Sequence, residues 1–207
     1  LGKNFMSFNS IVQALESSIS DNKATELPEL KFKNKYDKVL IIGGGNSIDE
    51  NIDAIKSFLL NNRNLLIVFS SSRHVKHFLD IPNDKMISFI GNEVDRFNIS
   101  IRNNYNLKIV FPPSPREFGT YLPNGWESKS FEIKENQKLK ISDYTHCSLS
   151  MQIALKTKLK TFYLVGFDGY QENSINKNFR EVFYENEKIF KVFLDEEIKL
   201  ISLTPSL

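Results

Sequence analysis

Asp37-Lys-Val-Leu-Ile-Ile-Gly-Gly-Gly-Asn-Ser-Ile-Asp49 is the stretch on which the reading of this chain turns. Val39 to Ile42 is an unbroken run of β-branched residues and Leu, too short for a helix and apolar on both faces, as a central parallel strand is. Gly43, Gly44 and Gly45 then let the backbone turn sharply and leave no side chain between the main chain and a small ligand. Asn46 and Ser47 are N-cap candidates, and Ile48, Ile52, Ile55, Phe58 and Leu59 follow at helical spacing. A helix over 48–60 is therefore expected, with its free N–H groups facing the loop. Strand, glycine turn and helix start together make a candidate anion site. The signal is generic to nucleotide-binding folds. Ile48 stands where a dinucleotide fingerprint has its third glycine, and no Lys-Ser/Thr pair follows as in a P-loop. A tight strand-to-helix turn that binds nothing accounts for the same residues.

Outward from this loop the same grammar repeats. Leu65-Leu-Ile-Val-Phe69 is a second buried strand, and strand, helix, strand favours a right-handed parallel crossover. Its end carries Ser70, Ser71, Ser72 and Arg73 where an NAD-binding unit carries an acidic residue, which counts against NAD. Three hydroxyls and a guanidinium suit a phosphate or carboxylate, and equally a polar cap on a helix over 75–79. His74 and His77 lie three apart there with no third ligand near in sequence, so no metal site is expected. Further strands are expected at 86–90, 107–111 and 130–134, with a Pro-rich stop at 112–115 and Trp126 as partly buried structure.

Asp143 to Gly169 is the second informative stretch. Thr145 or Ser148 caps a helix that turns Leu149, Ile153 and Ala154 inward, and Phe162 to Val165 is the next buried strand. Gly166 and Gly169 bracket Asp168 at that strand's carboxyl end, the edge where open parallel sheets bind ligands. Asp168 suits a sugar hydroxyl, and equally a turn. Phe179 to Asp195 reads as a long amphipathic helix with Val182, Phe183, Ile189, Phe190, Phe193 and Leu194 on its apolar side, and Lys199 to Leu203 as the last strand. The result is an α/β chain of three-layer, Rossmann-like type: an open, mostly parallel sheet with helices on both faces.

Composition bounds the function. The 207 residues are 41% hydrophobic and 12% aromatic, enough for one good core. Lys plus Arg number 27 against 25 for Asp plus Glu, spread along the chain, so neither nucleic acid nor an anionic membrane is expected as partner. Cys147 is the single cysteine, which excludes an internal disulfide and suits a reducing cytoplasm. No apolar run approaches ~20 residues, so no membrane span is expected.

Two resemblances extend this reading. Lys38 to Ile48 resembles the opening strand and loop of bacterial sialyltransferases and flagellar motility accessory factors, with Asn46 where that group has Pro. Thr145 to Leu155 followed by Tyr163-Leu-Val-Gly-Phe-Asp-Gly-Tyr170 is similar to a later block that lines their nucleotide-sugar site, and Ile198 to Leu207 is similar to their last strand. Those enzymes carry a catalytic His in a lid after the Gly-x-Asp strand, whereas Gln171 to Asn178 contains none. A CMP-sugar-dependent transferase would have to use His146 or Asp168 instead. The other resemblance is to the region after the catalytic barrel in bacterial aldolases of the hydroxymethylglutaryl-CoA lyase type, associated with surface polysaccharides. It rests on Gly2 to Leu15, Lys38 to Ala54 and Ser70 to His74.

That second resemblance implies that residues 1–35 are a helix and linker following an aldolase barrel in the same polypeptide, and 36–207 a single Rossmann-like domain. The lyase chemistry would lie outside these residues, since they contain no His-x-His metal pair. The expected function is an accessory domain binding a small anionic ligand or nucleotide-sugar over Gly43 to Ser47, Ser70 to Arg73, Thr145, Ser148 and Asp168. No cofactor is expected, and a homodimer or other docking role stays open.

Overall fold

The computed structural model describes residues 12, 27–32, 36–81, 86–88, 107–113, 122, 126–133, 145–169, 177–195 and 197–204. Seven strands form one sheet: β1 (Lys38–Ile42), β2 (Leu65–Phe69), β3 (Met86–Ser88), β4 (Lys108–Phe111), β5 (Ser130–Glu132), β6 (Thr161–Val165) and β7 (Lys199–Ser202). Their order is β5-β4-β3-β2-β1-β6-β7, and every neighbouring pair is parallel. The helices are α1 (Ser47–Glu50), α2 (Ile52–Asn61), α3 (His146–Lys156) and α4 (Lys177–Asp195), with a 3-10 helix at Ser72–Phe78.

The layers follow from strand alternation. Leu40 and Ile42 of β1, Leu65, Ile67 and Phe69 of β2, and Ile109 and Phe111 of β4 face one way, and pack with Ile48, Ile55 and Leu59 of α1 and α2 and with Val75 and Phe78 of the 3-10 helix. Val39, Ile41, Leu66, Val68, Val110, Phe162 and Leu164 face the other way, against Leu149, Met151, Ile153 and Ala154 of α3 and Ile189 and Phe193 of α4. Both faces are dry, so the central strands read as continuous apolar runs. From β1 the chain builds outward through β2 to β5, then returns to add β6 and β7 on the other side. A right-handed crossover in the opposite direction requires the opposite face, which is why α3 and α4 lie across the sheet from α2.

Several boundaries differ from the sequence reading. The helix expected over 48–60 is two helices broken at Asn51, whose side-chain amide donates to the Ser47 carbonyl at 2.8 Å and competes with the helical pattern. The segment expected at 75–79 is a 3-10 helix that starts earlier, capped by Ser71 Oγ accepting from the Arg73 N–H at 3.3 Å. Leu194, expected on the buried side of α4, is 65% exposed, because it lies one position past Phe193 and rotates out of the stripe. Within the stretch read as linker, residues 27–32 are docked. Leu27 and Leu30 are buried, the Leu30 N–H donates to the Glu132 carbonyl at 3.2 Å, and Glu29 pairs with Lys156 of α3 at 3.1 Å. Trp126 is buried structure beside β5. The helix expected near the start lies outside the described residues apart from residue 12, and so does the stretch from 171 to 178 apart from 177 and 178, which belong to α4.

Candidate functional site

Strand order reverses at β1, whose neighbours β2 and β6 are reached by chain running in opposite directions. Loops leaving the carboxyl ends of two such strands part from each other, and open α/β sheets bind ligands in that crevice. Here the two loops are 43–47, after β1, and 166–169, after β6.

The loops are tied together by main-chain bonds. The Gly43 N–H donates to the Val165 carbonyl at 2.8 Å, and the Gly45 N–H to the Gly166 carbonyl at 2.9 Å. A Cβ at Gly43 would overlap the Gly166 carbonyl, and one at Gly45 would overlap the Asp168 carboxylate. Two of the three glycines are thus required by the neighbouring loop. Gly44 differs: a Cβ there would meet only the Ser71 side chain, at 3.2 Å and beyond. Gly166 itself has φ +69°, a left-handed conformation, and lies against the Ile48 side chain.

Asp168 joins the two loops a third time, through its side chain. Its Oδ2 accepts the Ser47 N–H at 2.9 Å, and its Oδ1 accepts the Ser47 hydroxyl. Asn46, expected as the cap of the following helix, makes no side-chain cap bond; Asp168, far away in sequence, takes that role. Each carboxylate oxygen retains lone-pair capacity beyond its bond to Ser47. On the other rim, Arg73 is exposed and its guanidinium donates to the Gly44 carbonyl at 3.0 Å. Ser70 is buried and its hydroxyl donates to the Ile42 carbonyl at 3.3 Å, continuing β1 and β2 rather than facing a ligand. Ser71 and Ser72 are half-buried at the start of the 3-10 helix.

The structure therefore brings Gly43 to Ser47, Ser71, Arg73 and Asp168 into one contact network. Thr145 and Ser148 serve α3 itself: Thr145 Oγ1 accepts the Ser148 N–H at 3.2 Å, and the buried Ser148 hydroxyl accepts from Gln152 at 3.2 Å. Since α3 runs back to enter β6, its start lies toward the carboxyl edge of the sheet, with half-buried His146 as its first residue.

A second cluster adjoins this network. Asp49 of α1 lies 3.4 Å from His74 and 3.4 Å from His77. His74 is 1% exposed, and neither of its ring nitrogens completes a hydrogen bond. Burial pushes the His74 imidazole below its ordinary pKa, opposed by the charge of Asp49 and by the nearby Gly44 main chain and aided by Arg73 and His77. The two histidines were visible in the sequence as an i, i+3 pair, but Asp49 was not. The glycine loop delivers it from another strand, and only the β1–β2 pairing places the two segments side by side.

Fold and crevice define an open, parallel α/β domain of Rossmann-like architecture with its loops gathered at the β1/β6 switch point. A scan of protein-family models and a search of curated proteins both return no match for this chain. No helix among the described residues is long and apolar enough to cross a membrane.

Proposed function

We propose that this chain is an accessory ligand-binding domain whose ligand lies in the crevice between the β1 and β6 loops, and whose parent polypeptide is a bacterial carbon–carbon lyase of surface-glycan metabolism. The observation that carries the binding part is the glycine loop opening at the point where strand order reverses. Asp168, with acceptor capacity left beyond Ser47, takes a hydroxyl of the ligand, and Arg73 takes its anionic group. An anion paired with hydroxyl groups is the pattern of a nucleotide-sugar. The parent enzyme rests on the resemblance of residues 2–15, 38–54 and 70–74 to the region after an aldolase barrel.

The test is a thermal-shift screen against cytidine nucleotides, CMP-sialic acid, other nucleotide-sugars and simple 2-oxo acids. A ligand that binds only the folded chain raises the melting temperature by mass action, by about 2.7 kcal/mol of stability at a hundredfold excess over Kd. The expected result is a shift with a nucleotide-sugar that is lost in Gly44→Val and in Arg73→Ala. No shift with any compound, in a chain that melts cooperatively, removes the proposal. Turnover of a bound donor that depends on His146 or Asp168 would make the domain a transferase instead.

A further inference from the structure

The 3-10 helix after β2 carries imidazoles at its third and sixth positions, and in such a helix residues three apart eclipse one another. The rings of His74 and His77 accordingly stack, with centroids 5.8 Å apart and planes 30° from parallel. Facing them, one carboxylate oxygen of Asp49, Oδ1, stands 3.4 Å from His74 Nδ1 and 3.4 Å from His77 Nε2. One ligand atom from each of the three residues lies within 4.8 Å of the others.

Those distances are long for N–H···O hydrogen bonds, which centre on about 2.9–3.0 Å. Two of the three donor separations match another geometry. Donors held about 2.0–2.1 Å from a tetrahedral ion are separated by about 3.3–3.4 Å along each edge. The two edges from Asp49 have that length, and the two imidazole nitrogens, within 4.8 Å of each other, close on the ion to complete the third. The burial of His74 is the independent sign. An imidazole this deeply enclosed normally has its nitrogens satisfied, yet neither completes a hydrogen bond, although the ring lies near the Gly44 main chain and Nδ1 stands 3.4 Å from Asp49.

We propose that Asp49, His74 and His77 bind one divalent late first-row transition-metal ion of the Zn2+ type. Two imidazoles and a carboxylate favour such ions over Mg2+ or Ca2+, which take all-oxygen sets. Three protein donors leave a fourth position for water or for a ligand oxygen. Asp49 and His77 are exposed and half-buried respectively, so an ion can enter from solvent. Bound there, it fastens α1 to the 3-10 helix, the two elements that flank the glycine loop and that Arg73 already links through Gly44. The site stands independently of any ligand in the crevice.

The probe is the metal-freed chain titrated with Zn2+ and, for its visible d–d bands, with Co2+, alongside Mg2+ as control. Cys147→Ser serves as the background in which the one thiol cannot contribute. Because His74 is core, the test variants are His77→Ala and Asp49→Asn, which remove exposed or half-exposed donors. The expected result is one ion per chain, Co2+ bands of four- or five-coordinate intensity, a melting temperature raised by about 5–10 °C at a hundredfold excess over Kd, and affinity reduced about a hundredfold or more in each variant. Absence of Zn2+ binding tighter than about 100 μM, against the affinities structural sites reach, overturns the proposal. So does binding that survives undiminished in either variant.

Discussion

Removing the Asp168 carboxylate should unfasten the first turn of α1 from β6. Asp168→Ala deletes two acceptors at once: the partner of the Ser47 N–H at 2.9 Å and the partner of the Ser47 hydroxyl. Loss of the cap is worth about 1 kcal/mol. The Ser47 hydroxyl sits in a residue only 7% exposed, and leaving it without a partner adds about 1–2 kcal/mol. The sum is about 2–3 kcal/mol, or a fall of about 4–12 °C in melting temperature for a chain of this size. Urea denaturation of wild type, Asp168→Ala, Ser47→Ala and the double variant closes a cycle whose coupling energy should be about 1–2 kcal/mol, since both single changes remove the hydroxyl–carboxylate bond while only Asp168→Ala also removes the main-chain one. Asp168→Asn keeps an acceptor for the main-chain bond and should lose about half as much. A coupling energy below about 0.5 kcal/mol, or an Asp168→Ala variant as stable as wild type, would refute the reasoning that this carboxylate caps the loop.

Gly166→Ala should destabilise the chain by about 2 kcal/mol or more, because the new Cβ meets both a left-handed φ of +69° and the side chain of Ile48 at the core; Ile48→Ala in the same chain should relieve part of the steric cost, and urea melts of the pair test this. His74 makes stability pH-dependent. Burial holds its folded pKa below that of the unfolded chain, about 6.5, despite Asp49. The unfolded state therefore binds more protons below that value, and the stability present above it is lost as pH falls toward the folded pKa. Urea midpoints measured from pH 7.5 to 5 with a chelator present should fall in wild type and be flatter in His74→Gln, and a flat wild-type profile would contradict the assignment.

What was legible in the sequence was what repeats locally. Four strands, β1, β2, β4 and β6, announced themselves as short apolar runs, because a strand buried on both faces has no alternation to hide, and β5 announced itself as an alternating one. The Thr145 cap and the inward Leu149, Ile153 and Ala154 were equally local. The break at Asn51 was not legible, since it depends on a side-chain amide preferring the Ser47 carbonyl over solvent. Nor was the docking of Leu27 and Leu30 at the β5 edge, which only the finished sheet makes available. Contacts made by loops from different strands, such as Asp168 with Ser47 and Asp49 with His74, carry no sequence period at all.

The glycine run is where local reading and structure divide most usefully. In sequence, three glycines in a row suggest backbone bared for a ligand. In the fold, Gly43 and Gly45 are glycine because the β6 loop occupies the space a Cβ would need, and both donate main-chain bonds to that loop. Their identity is explained without a ligand. Gly44 is the position left over, with its carbonyl held by exposed Arg73 and a Cβ there meeting only Ser71, its Oγ at 3.2 Å and its Cβ at 3.3 Å. Substitutions at Gly43 or Gly45 would lower binding and stability together and could not separate them. Gly44→Val and Arg73→Ala alter the rim while leaving the β1–β6 loop contacts in place, so any loss of ligand affinity at unchanged melting temperature belongs to the crevice itself.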